Sequence, residues 1–234
     1  MAGNSLDYDG RISLEDYTKA ASQNAHQKRR LELIERLLNK VENPGRGLDY
    51  GCGLGDLTYR VSPRFDNIVG VDISPERVEW ANNEFAPIKF SACKEGILDF
   101  PDNSFDLVLS SVVINWVPDP VSYLTEINRA LDTNGKLILL VKSMGKMRKI
   151  LKGLKGQSTL PRENSGDLYI DDMISYLEKA NFEICNVDCY YEPPQDIHRN
   201  LKNLVMEALI LPMRFLKIPA YAHYYGILAQ KRNS

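Results

Sequence analysis

The chain has 234 residues, of which 44% are hydrophobic and 26% are charged. This composition is that of a globular protein with a real core and excludes wholesale disorder. The formal net charge of −2 disfavours a protein that coats duplex nucleic acid, since such proteins are normally basic. No apolar run reaches the roughly 18 residues of a transmembrane helix, and the polar N-terminus lacks the apolar core of a signal peptide. The sequence therefore predicts a cytoplasmic protein.

Four cysteines are scattered along the chain without a CxxC pair. They indicate reduced thiols, and neither a disulfide framework nor a zinc site. Cys185 and Cys189 are four residues apart, but they lie in a strand-like run with no neighbouring histidine cluster. No metal site is expected.

Strand-like and helix-like runs alternate along the chain as far as Val141. Near-continuous apolar strands of this kind are typical of a parallel sheet that helices cover on both faces. The predicted helices cover 13–40, the segment through Leu57 and Tyr59, the segment from Pro75 to the break at Pro87, and 121–131. The predicted strands cover 47–53, 67–74, 88–93, 105–115 and 136–141.

The alternation breaks after Val141, where a stretch at 142–168 is rich in Lys, Gly and Ser. Further helices are expected at 170–180 and 196–217, and further strands at 182–191 and 221–232. We expect one domain of the α/β class with a doubly wound, mostly parallel sheet of seven strands. Its last strand should be antiparallel, and an N-terminal helix and a C-terminal helical cap should complete it.

A glycine-rich turn follows the first predicted strand. Gly51, Gly53 and Gly55 let the backbone turn tightly and approach a ligand without Cβ clashes. Asp72 ends the next strand, 23 residues after Asp49. An acid at that place is positioned to accept hydrogen bonds from both hydroxyls of a ribose. The two features together predict a site for a nucleoside-containing cofactor.

Charges around the turn discriminate between two such cofactors. In the dinucleotide pattern GxGxxG, a small third residue packs the helix on the strand, and the position counted from Gly51 is Asp56, which would put a charge against the sheet. Asp49 and Asp56 would also be unfavourable neighbours of a pyrophosphate. S-adenosylmethionine carries an ammonium and a sulfonium, so nearby acids suit it better. A nicotinamide-dependent dehydrogenase is the weaker alternative from another class.

Four runs of this sequence resemble motifs of the class I methyltransferases that use S-adenosylmethionine. They are LDYGCGLG at 48–55, VDIS at 71–74, LDFPDNSFDLVLSSVVINWVPDP at 98–120 and NGKLILLV at 134–141. The likeness covers roughly residues 45–142. It implies S-adenosylmethionine as methyl donor and S-adenosylhomocysteine as product, and it says little about the acceptor.

The resemblance also implies roles for individual residues around the cofactor. Asp49 and the backbone of Gly51 and Gly53 would hold the methionine end. Asp72 would hold the ribose, and Ile73 would pack on the adenine. Gly55 belongs to the same loop.

The adenine amino group is the one contact where the chain departs from the family. The family commonly places an Asp after the third strand, whereas this chain has Lys94, which offers no acceptor. Either Glu95 or a backbone carbonyl takes that role. Ser110, at the end of the fourth strand, would touch the cofactor through its backbone.

Relatives with an N-terminal helix lay it over the cofactor. Tyr17, His26 and Arg30 lie on the corresponding segment here, and each is otherwise a solvated or structural residue. Tyr17 is the first choice for a contact, because a phenol can cover the methionine carboxylate and exclude water.

Candidates for catalysis are weaker. Asn115 and Trp116 follow the fourth strand, where the methyl group should face the acceptor. Asn115 would orient an acceptor oxygen, and Trp116 is either a wall of the acceptor pocket or a core aromatic. His26 is a third candidate. Methyl transfer mainly requires alignment and exclusion of water, and a general base is needed only when the acceptor must lose a proton early.

We expect a single domain in four parts. They are a helical cover at 1–44, a cofactor-binding core at 45–142, and insertions at 143–169 and 192–219 that form a lid over an apolar acceptor pocket or, alternatively, a dimer interface. The basic segment at 142–155 is a solvated helix face, a contact with an anionic membrane surface, or a collector of an anionic acceptor.

The expected function is methyl transfer from S-adenosylmethionine to a small or medium, apolar molecule at oxygen, nitrogen or carbon. A carboxyl, acyl or lipid-headgroup acceptor is the alternative within the same family. A binding protein that keeps the cofactor site without turnover is a further alternative. The expected partners are the small-molecule acceptor and, if the basic face seeks it, a membrane surface. Duplex nucleic acid is not expected, and the chain is a monomer or a homodimer.

Overall fold

The computed structural model describes residues 25–142, 168, 170–190 and 224–233. Several sequence predictions fall outside these ranges: Tyr17, the side chain of His26, the basic segment beyond Lys142, the helix at 196–217 and nearly all of the two expected insertions. The lid, the C-terminal helical cap, the membrane contact and the division into four parts stay predictions.

Helices and strands alternate through the described residues in the predicted order. The helices are α1 (Ala25–Leu38), α2 (Asp56–Val61), α3 (Pro75–Glu84), α4 (Pro120–Ala130) and α5 (Ile170–Lys179). The strands are β1 (Arg46–Tyr50), β2 (Asn67–Asp72), β3 (Lys89–Ala92), β4 (Phe105–Ser111), β5 (Leu131–Lys142), β6 (Phe182–Tyr190) and β7 (Tyr224–Lys231). None of the helices in this part of the chain has the length and apolar character needed to cross a bilayer.

The seven strands form one sheet in the order β3-β2-β1-β4-β5-β7-β6. β7 runs antiparallel to both of its neighbours, and the other pairs are parallel. This confirms the doubly wound α/β sheet and its antiparallel last strand. Because β1 lies between β2 and β4, the carboxyl ends of β1 and β4 border the crevice where sheets of this kind bind ligands.

β5 begins earlier than the sequence predicts. It starts at Leu131, directly after α4, and not at Lys136. Leu131 pairs with Phe105, and the next pair joins Lys136 to Leu107, so residues 132–135 interrupt the regular ladder. The polar character of 132–135 hides the fact that the fully buried Leu131 already belongs to the sheet.

α1 packs closely across β5, β6 and β7. Leu33 and Leu37 are completely buried against Gly226 of β7. A Cβ at Gly226 would lie 2.7 Å from Cδ1 of Leu37 and 3.0 Å from Cγ of Leu33, so glycine permits the close approach. Arg36 of α1 binds Asp188 of β6 at 2.9 Å. These contacts fix α1 over the half of the sheet that lies beyond β4.

Arg129 of α4 fastens the segment that connects β3 to β4. Its guanidinium donates to the carbonyls of Leu98 and Phe100 at 3.0 and 2.9 Å. It also donates to the carboxylates of Asp102 and Glu126 at 2.6 and 2.8 Å. The hydrogen bond from Arg129 lowers the pKa of Glu126, which in turn accepts from the N–H of Leu98 at 2.8 Å. One arginine therefore holds the segment that connects β3 to β4 in place.

We expect Arg129→Met to lower the free energy of unfolding at pH 7 by about 1–2 kcal/mol, a value reduced for solvent screening because the guanidinium is 31% exposed. Arg129 depresses the pKa of Glu126, so this contribution is present above the ordinary value of 4.5 and is lost as the pH falls through the depressed value. Urea unfolding at pH 7 and pH 3 measures the difference.

Arg60→Met is the matched control, because Arg60 pairs with Asp56 on the exposed side of α2. This variant should lose less than about 0.5 kcal/mol. Equal losses in the two variants would contradict the role of Arg129.

Candidate active site

The glycine loop, residues 51–55, bends from β1 towards the end of β2. The N–H groups of Gly51 and Cys52 both donate to the carbonyl of Val71, at 2.7 and 2.9 Å. Gly51 has a φ of 83°, a left-handed conformation that favours glycine. A Cβ at this position would also collide with the side chain of Val113. The first glycine of the motif is therefore required by both backbone conformation and space.

The last glycine of the loop takes the close-packing position. Gly55 has a φ of 79°, and a Cβ there would lie 2.8 Å from the ring of Phe90 and 3.1 Å from Cβ of Ala81. Asp56, at the third position of the dinucleotide pattern, does not lie against the sheet. Its side chain is 43% exposed and accepts from Nε of Arg60 with both oxygens at 3.0 Å. Because α2 begins at Asp56, that side chain points outward. Its charge therefore does not distinguish a dinucleotide from S-adenosylmethionine.

Asp72, the last residue of β2, connects the glycine loop to α3. Its Oδ2 accepts a hydrogen bond from the N–H of Gly53 at 2.9 Å, and its Oδ1 accepts from the N–H of Ser74 at 3.0 Å. The carboxylate is buried, and Nη1 of Arg77 lies 4.0 Å from Oδ1. A carboxylate offers about four acceptor positions, so two remain for a ligand. The two hydroxyls of a ribose need that number of acceptors.

Asp49 of β1 is a fully buried carboxyl group with one unsatisfied oxygen. Its Oδ2 accepts from the hydroxyl of Thr58 at 2.6 Å, whereas Oδ1 has no hydrogen-bond partner within the described part of the chain. The pKa of Asp49 is raised to about 7, because burial and, to a smaller extent, the charge of Asp72 outweigh the lowering effect of the hydrogen bond from Thr58. A cationic ligand would recover the free energy that this buried oxygen costs.

Behind the glycine loop, buried hydroxyl groups support the ends of β1 and β4. The hydroxyl oxygens of Ser110 and Tyr123 lie 2.9 Å apart, and Tyr123 stacks on Tyr50 with ring centroids separated by 4.7 Å. In the sheet, Ser110 pairs with Leu139 of β5. Sequence reasoning missed Tyr123 and Thr58, because a core-facing position on a helix indicates packing unless the partner across the sheet is known.

The candidate adenine contacts lie beyond the ends of β2 and β3. Ile73 follows Asp72 and is 44% exposed, so an apolar side chain is open beside the buried carboxylate. Lys94 and Glu95 are exposed in a short turn that is closed by a bridge between Lys94 and Ile97. The roles of Ile73 and Glu95 stay predictions, and the geometry leaves Ile73 accessible to a flat ligand.

The segment after β4 is strained and tied to β5. β4 stops at Ser111 and not at the predicted 115, because Val112 has a φ of 67°. A β-branched residue rarely adopts this conformation, and such residues concentrate at functional sites. The amide of Asn115 donates to the carbonyl of Lys142 at 2.7 Å and accepts from its N–H at 2.9 Å. Asn115 therefore fastens this segment to the end of β5. Trp116 is partly buried, and the contacts of Asn115 and Trp116 with an acceptor stay predictions.

The start of α1 lies at the same edge of the sheet. The guanidinium of Arg29 lies 5.0 Å from the ring centroid of Tyr190, the last residue of β6. Since β5 and β6 are both antiparallel to β7, β6 ends at the same edge as β5. Arg30 is partly buried, and its Nε has no hydrogen-bond partner among the described residues. The helix thus brings two arginines, together with the backbone of His26, to the edge that carries the glycine loop.

This edge offers a glycine loop that leaves room for close approach, two buried carboxyl groups and an exposed apolar side chain. The set suits a ligand that combines hydroxyl groups, a cation and a flat apolar part. Where side chains are described, no group of three or more His, Cys, Asp or Glu residues is arranged to hold a metal ion.

Comparison with known proteins shows which proteins are similar to this chain. Residues 48–139, which run from β1 through most of β5, match the family model described as a methyltransferase domain. Over these residues the chain is similar to a methyltransferase domain. The match begins next to Asp49 and includes the glycine loop, Asp72 and the whole of β4.

Curated proteins similar to this chain differ in what their names say they methylate. The chain is 26% identical over 168 residues to the malonyl-[acyl-carrier protein] O-methyltransferase of Marinomonas sp. (strain MWYL1), covering 67% of this chain and 62% of the relative. It is 33% identical over 111 residues to the ubiquinone/menaquinone biosynthesis C-methyltransferase UbiE of Geobacter sp. (strain M21), covering 43% and 46%. The chain thus spans less than two thirds of the length of these curated relatives.

Among solved structures, the fold is similar to a chain in the complex between the Haloferax volcanii Trm112 methyltransferase activator and a methyltransferase. The TM-score is 0.68 and the sequence identity 17%, with coverage of 93% of this chain and 96% of that chain. At this identity the likeness shows the fold alone, and it extends over the described sheet and its helices.

We expect Thr58→Val to raise the pKa of Asp49 above its value of about 7, because the hydrogen bond from Thr58 opposes the effect of burial. Thr58→Ser keeps the hydroxyl, so the pKa of Asp49 in this variant should stay close to its value in the parent protein. Carbon-13 NMR of labelled carboxyl groups measures the pKa, and the Asp49 signal is assigned by its loss in Asp49→Asn.

Thr125→Val provides the control, since it removes an exposed hydroxyl that donates to the Val121 carbonyl within α4. An Asp49 pKa that is the same in Thr58→Val as in the parent protein would contradict this assignment.

Proposed function

We propose that this chain is an enzyme that transfers a methyl group from S-adenosylmethionine to a small-molecule acceptor. The observation that carries the proposal is the pair of buried carboxyl groups at the glycine loop. Asp72 keeps two acceptor positions after binding Gly53 and Ser74, and Asp49 keeps one oxygen without a partner. A ribose and a methionine ammonium satisfy these groups, so the residues present fit this cofactor.

Individual residues take the following roles in the proposal. Asp72 binds the ribose hydroxyls, and Ile73 packs on the adenine. Asp49 faces the cationic methionine end, and the backbone of Gly51 and Gly53 lines it. Glu95 or a backbone carbonyl accepts from the adenine amino group, and Tyr17 and Ser110 complete the set.

Asp49 is the residue whose charge disfavours a dinucleotide. Asp56 points to solvent, so its charge does not distinguish a dinucleotide from S-adenosylmethionine. Asp49, in contrast, is buried directly before the glycine loop, where a second negative group would lie in a poorly solvated place. A pyrophosphate would be repelled there, whereas an ammonium or sulfonium would be attracted. This supports the methyl donor over a nicotinamide cofactor.

The cofactor supplies a methyl group that its sulfonium has already activated, so the chain's own task is alignment and exclusion of water. The strained Val112 and the amide of Asn115 fix the backbone beyond β4, next to the glycine loop. Trp116 and His26 are the further residues proposed to face the acceptor. Such positioning suffices for an acceptor that needs no early deprotonation, and no general base is assigned.

We propose a small or medium, apolar acceptor, with a carboxyl group as the second candidate for the methylated group. The Marinomonas relative is named for O-methylation of malonyl-[acyl-carrier protein], and the Geobacter relative for C-methylation. The methylated atom therefore varies among relatives. The carboxyl alternative rests on the Marinomonas relative, which is named for O-methylation.

We expect the parent protein to be stabilised in a thermal shift assay by S-adenosylhomocysteine and not by NAD. Asp72→Ala should weaken S-adenosylhomocysteine binding by about 2 kcal/mol, or roughly 30-fold, because two hydroxyls lose a charged acceptor. Calorimetric titration measures the affinity. Asp56→Asn is the control, since Asp56 directly follows the glycine loop but its side chain pairs with Arg60 and is partly exposed to solvent.

Binding by Asp72→Ala within twofold of the parent protein would contradict the ribose assignment. Stabilisation by NAD alone would favour the dehydrogenase. Transfer of labelled methyl groups from S-adenosylmethionine to any compound in a cell extract would exclude a binding-only protein.

A second expectation concerns pH. The folded pKa of Asp49 is about 7 and its ordinary value is 3.8, so the ligand-free folded chain keeps a proton between these values that the unfolded chain has lost. The contribution of Asp49 to stability therefore falls as the pH rises across this window. A ligand ammonium favours the ionised carboxylate, so S-adenosylhomocysteine should bind more tightly as the pH rises from 5 to 7, by up to about tenfold per pH unit.

Calorimetry at pH 5, 6, 7 and 8 measures this dependence, and buffers with different ionisation enthalpies report the released proton. Asp49→Asn should flatten the dependence, whereas Asp56→Asn should keep it. An affinity of the parent protein that is constant from pH 5 to 8 would show that Asp49 does not change its protonation state on binding.

A further inference from the structure

Arg30 occupies an unusual position on α1. The buried side of this helix is apolar, with Leu33, Ile34 and Leu37 completely shielded from solvent. Residues three and four positions apart share one face of a helix, so Arg30 continues that side one turn towards the helix start. An arginine thus takes the place where the pattern would put another apolar residue.

The tertiary contacts locate this turn of α1. Arg29 lies over the ring of Tyr190 at the end of β6, and Arg36 binds Asp188 further back on the same strand. α1 therefore runs with its start at the carboxyl edge of the sheet. Partly buried Val112, which follows β4, and Tyr190 pack against the same apolar cluster as α1. Arg30 is accordingly placed at the ligand-binding edge, on the half of the sheet beyond β4.

Within the described residues, the Nε of Arg30 lacks a hydrogen-bond partner, whereas several other arginines pair with carboxylates. Arg36, Arg46 and Arg129 each bind a carboxylate at 2.9 Å or less. In Arg30, Nε is buried, and no hydrogen-bond partner reaches it in the described part of the chain. A buried polar group without a partner is destabilising, and more so in a charged side chain. A ligand that supplies the acceptor would remove this cost.

We propose that Arg30 binds an anionic group of the methyl acceptor, a carboxylate or a phosphate on an otherwise apolar molecule. Nε–H and an Nη–H form a planar fork that matches the two oxygens of such a group. Tyr190 and Tyr224, at the carboxyl-edge ends of β6 and β7, supply apolar surface nearby. The inference rests on the proposed function, since it assigns an end of the acceptor in that same site.

The sheet also indicates which part of the acceptor Arg30 recognises. α1 lies over β5, β7 and β6, whereas the transferred methyl group is proposed to face the segment after β4. β7 is two strands from β4, a separation of roughly 10 Å. Arg30 therefore binds a group remote from the methylated atom and acts in recognition, so the methylated atom itself can be oxygen, nitrogen or carbon.

The first test observes Arg30 directly. The Nε–H signal of Arg30 is assigned in a nitrogen-15 NMR spectrum by its loss in Arg30→Lys. Decanoate, decyl phosphate and the uncharged decanamide are then titrated, each with and without S-adenosylhomocysteine. We expect the signal to shift with decanoate or decyl phosphate and not with decanamide, and the stronger of the two anions identifies the group. No shift with either anion, or an equal shift with decanamide, would overturn the proposal.

The second test uses affinity. The parent protein should bind decanoate or decyl phosphate, whichever shifts the Arg30 signal more, with higher affinity than decanamide. Arg30→Gln should reduce this ratio of affinities about tenfold or more. Arg30→Lys should keep part of it, since the charge remains without the fork. Lys28→Gln is the matched control, because it removes the same charge from an exposed position on α1 and should leave the preference within twofold.

The two proposals fail separately. If S-adenosylhomocysteine binds but neither anion shifts the Arg30 signal, the anion site is wrong and the methyltransferase proposal stands. If an anion shifts the signal but S-adenosylhomocysteine does not bind, the anion site stands and the methyltransferase proposal is wrong.

Discussion

The carboxylate of Asp72 is the contact on which the rest of the site depends. It accepts hydrogen bonds from Gly53 in the loop after β1 and from Ser74 at the start of α3, so one side chain sets the loop, the end of β2 and the next helix relative to each other. The loop can approach because Gly51 and Gly55 leave no side chain in the way. A hydrophobic contact would not fix these positions as well, since it has no direction, whereas hydrogen bonds to a buried carboxylate do.

Asp49 and Arg30 share a physical property although they lie on different elements. Each presents a buried polar atom without a hydrogen-bond partner in the described residues, one able to accept and one able to donate. Such atoms reduce the stability of the ligand-free protein, and a complementary ligand would restore it. Ligand binding and stability are therefore expected to be coupled in this protein, with a cation at one end of the site and an anion at the other.

Much of the fold and part of the candidate site could be predicted from the sequence. The apolar runs at β4 and β5 are continuous because both faces of these strands are covered, and the glycines of the loop are spaced as the turn requires. Asp56 was misjudged because its direction depends on where α2 begins, and a one-residue change on a helix turns a side chain by about 100°. Thr58 and Tyr123 were missed because their partners lie on other elements, at Asp49 and Ser110.

The sequence by itself determined the order of strands and helices, the glycine turn and the acid at the end of β2, because these features depend on local conformation and on the period of apolar residues. Only the tertiary structure decided which polar atoms are satisfied. Thr58 binds one oxygen of Asp49 and leaves the other, and Asn115 is held by the backbone of Lys142. The Nε of Arg30 has no hydrogen-bond partner among the described residues. A hydrogen bond between distant residues depends on strand order and helix direction, which no local pattern of residues encodes.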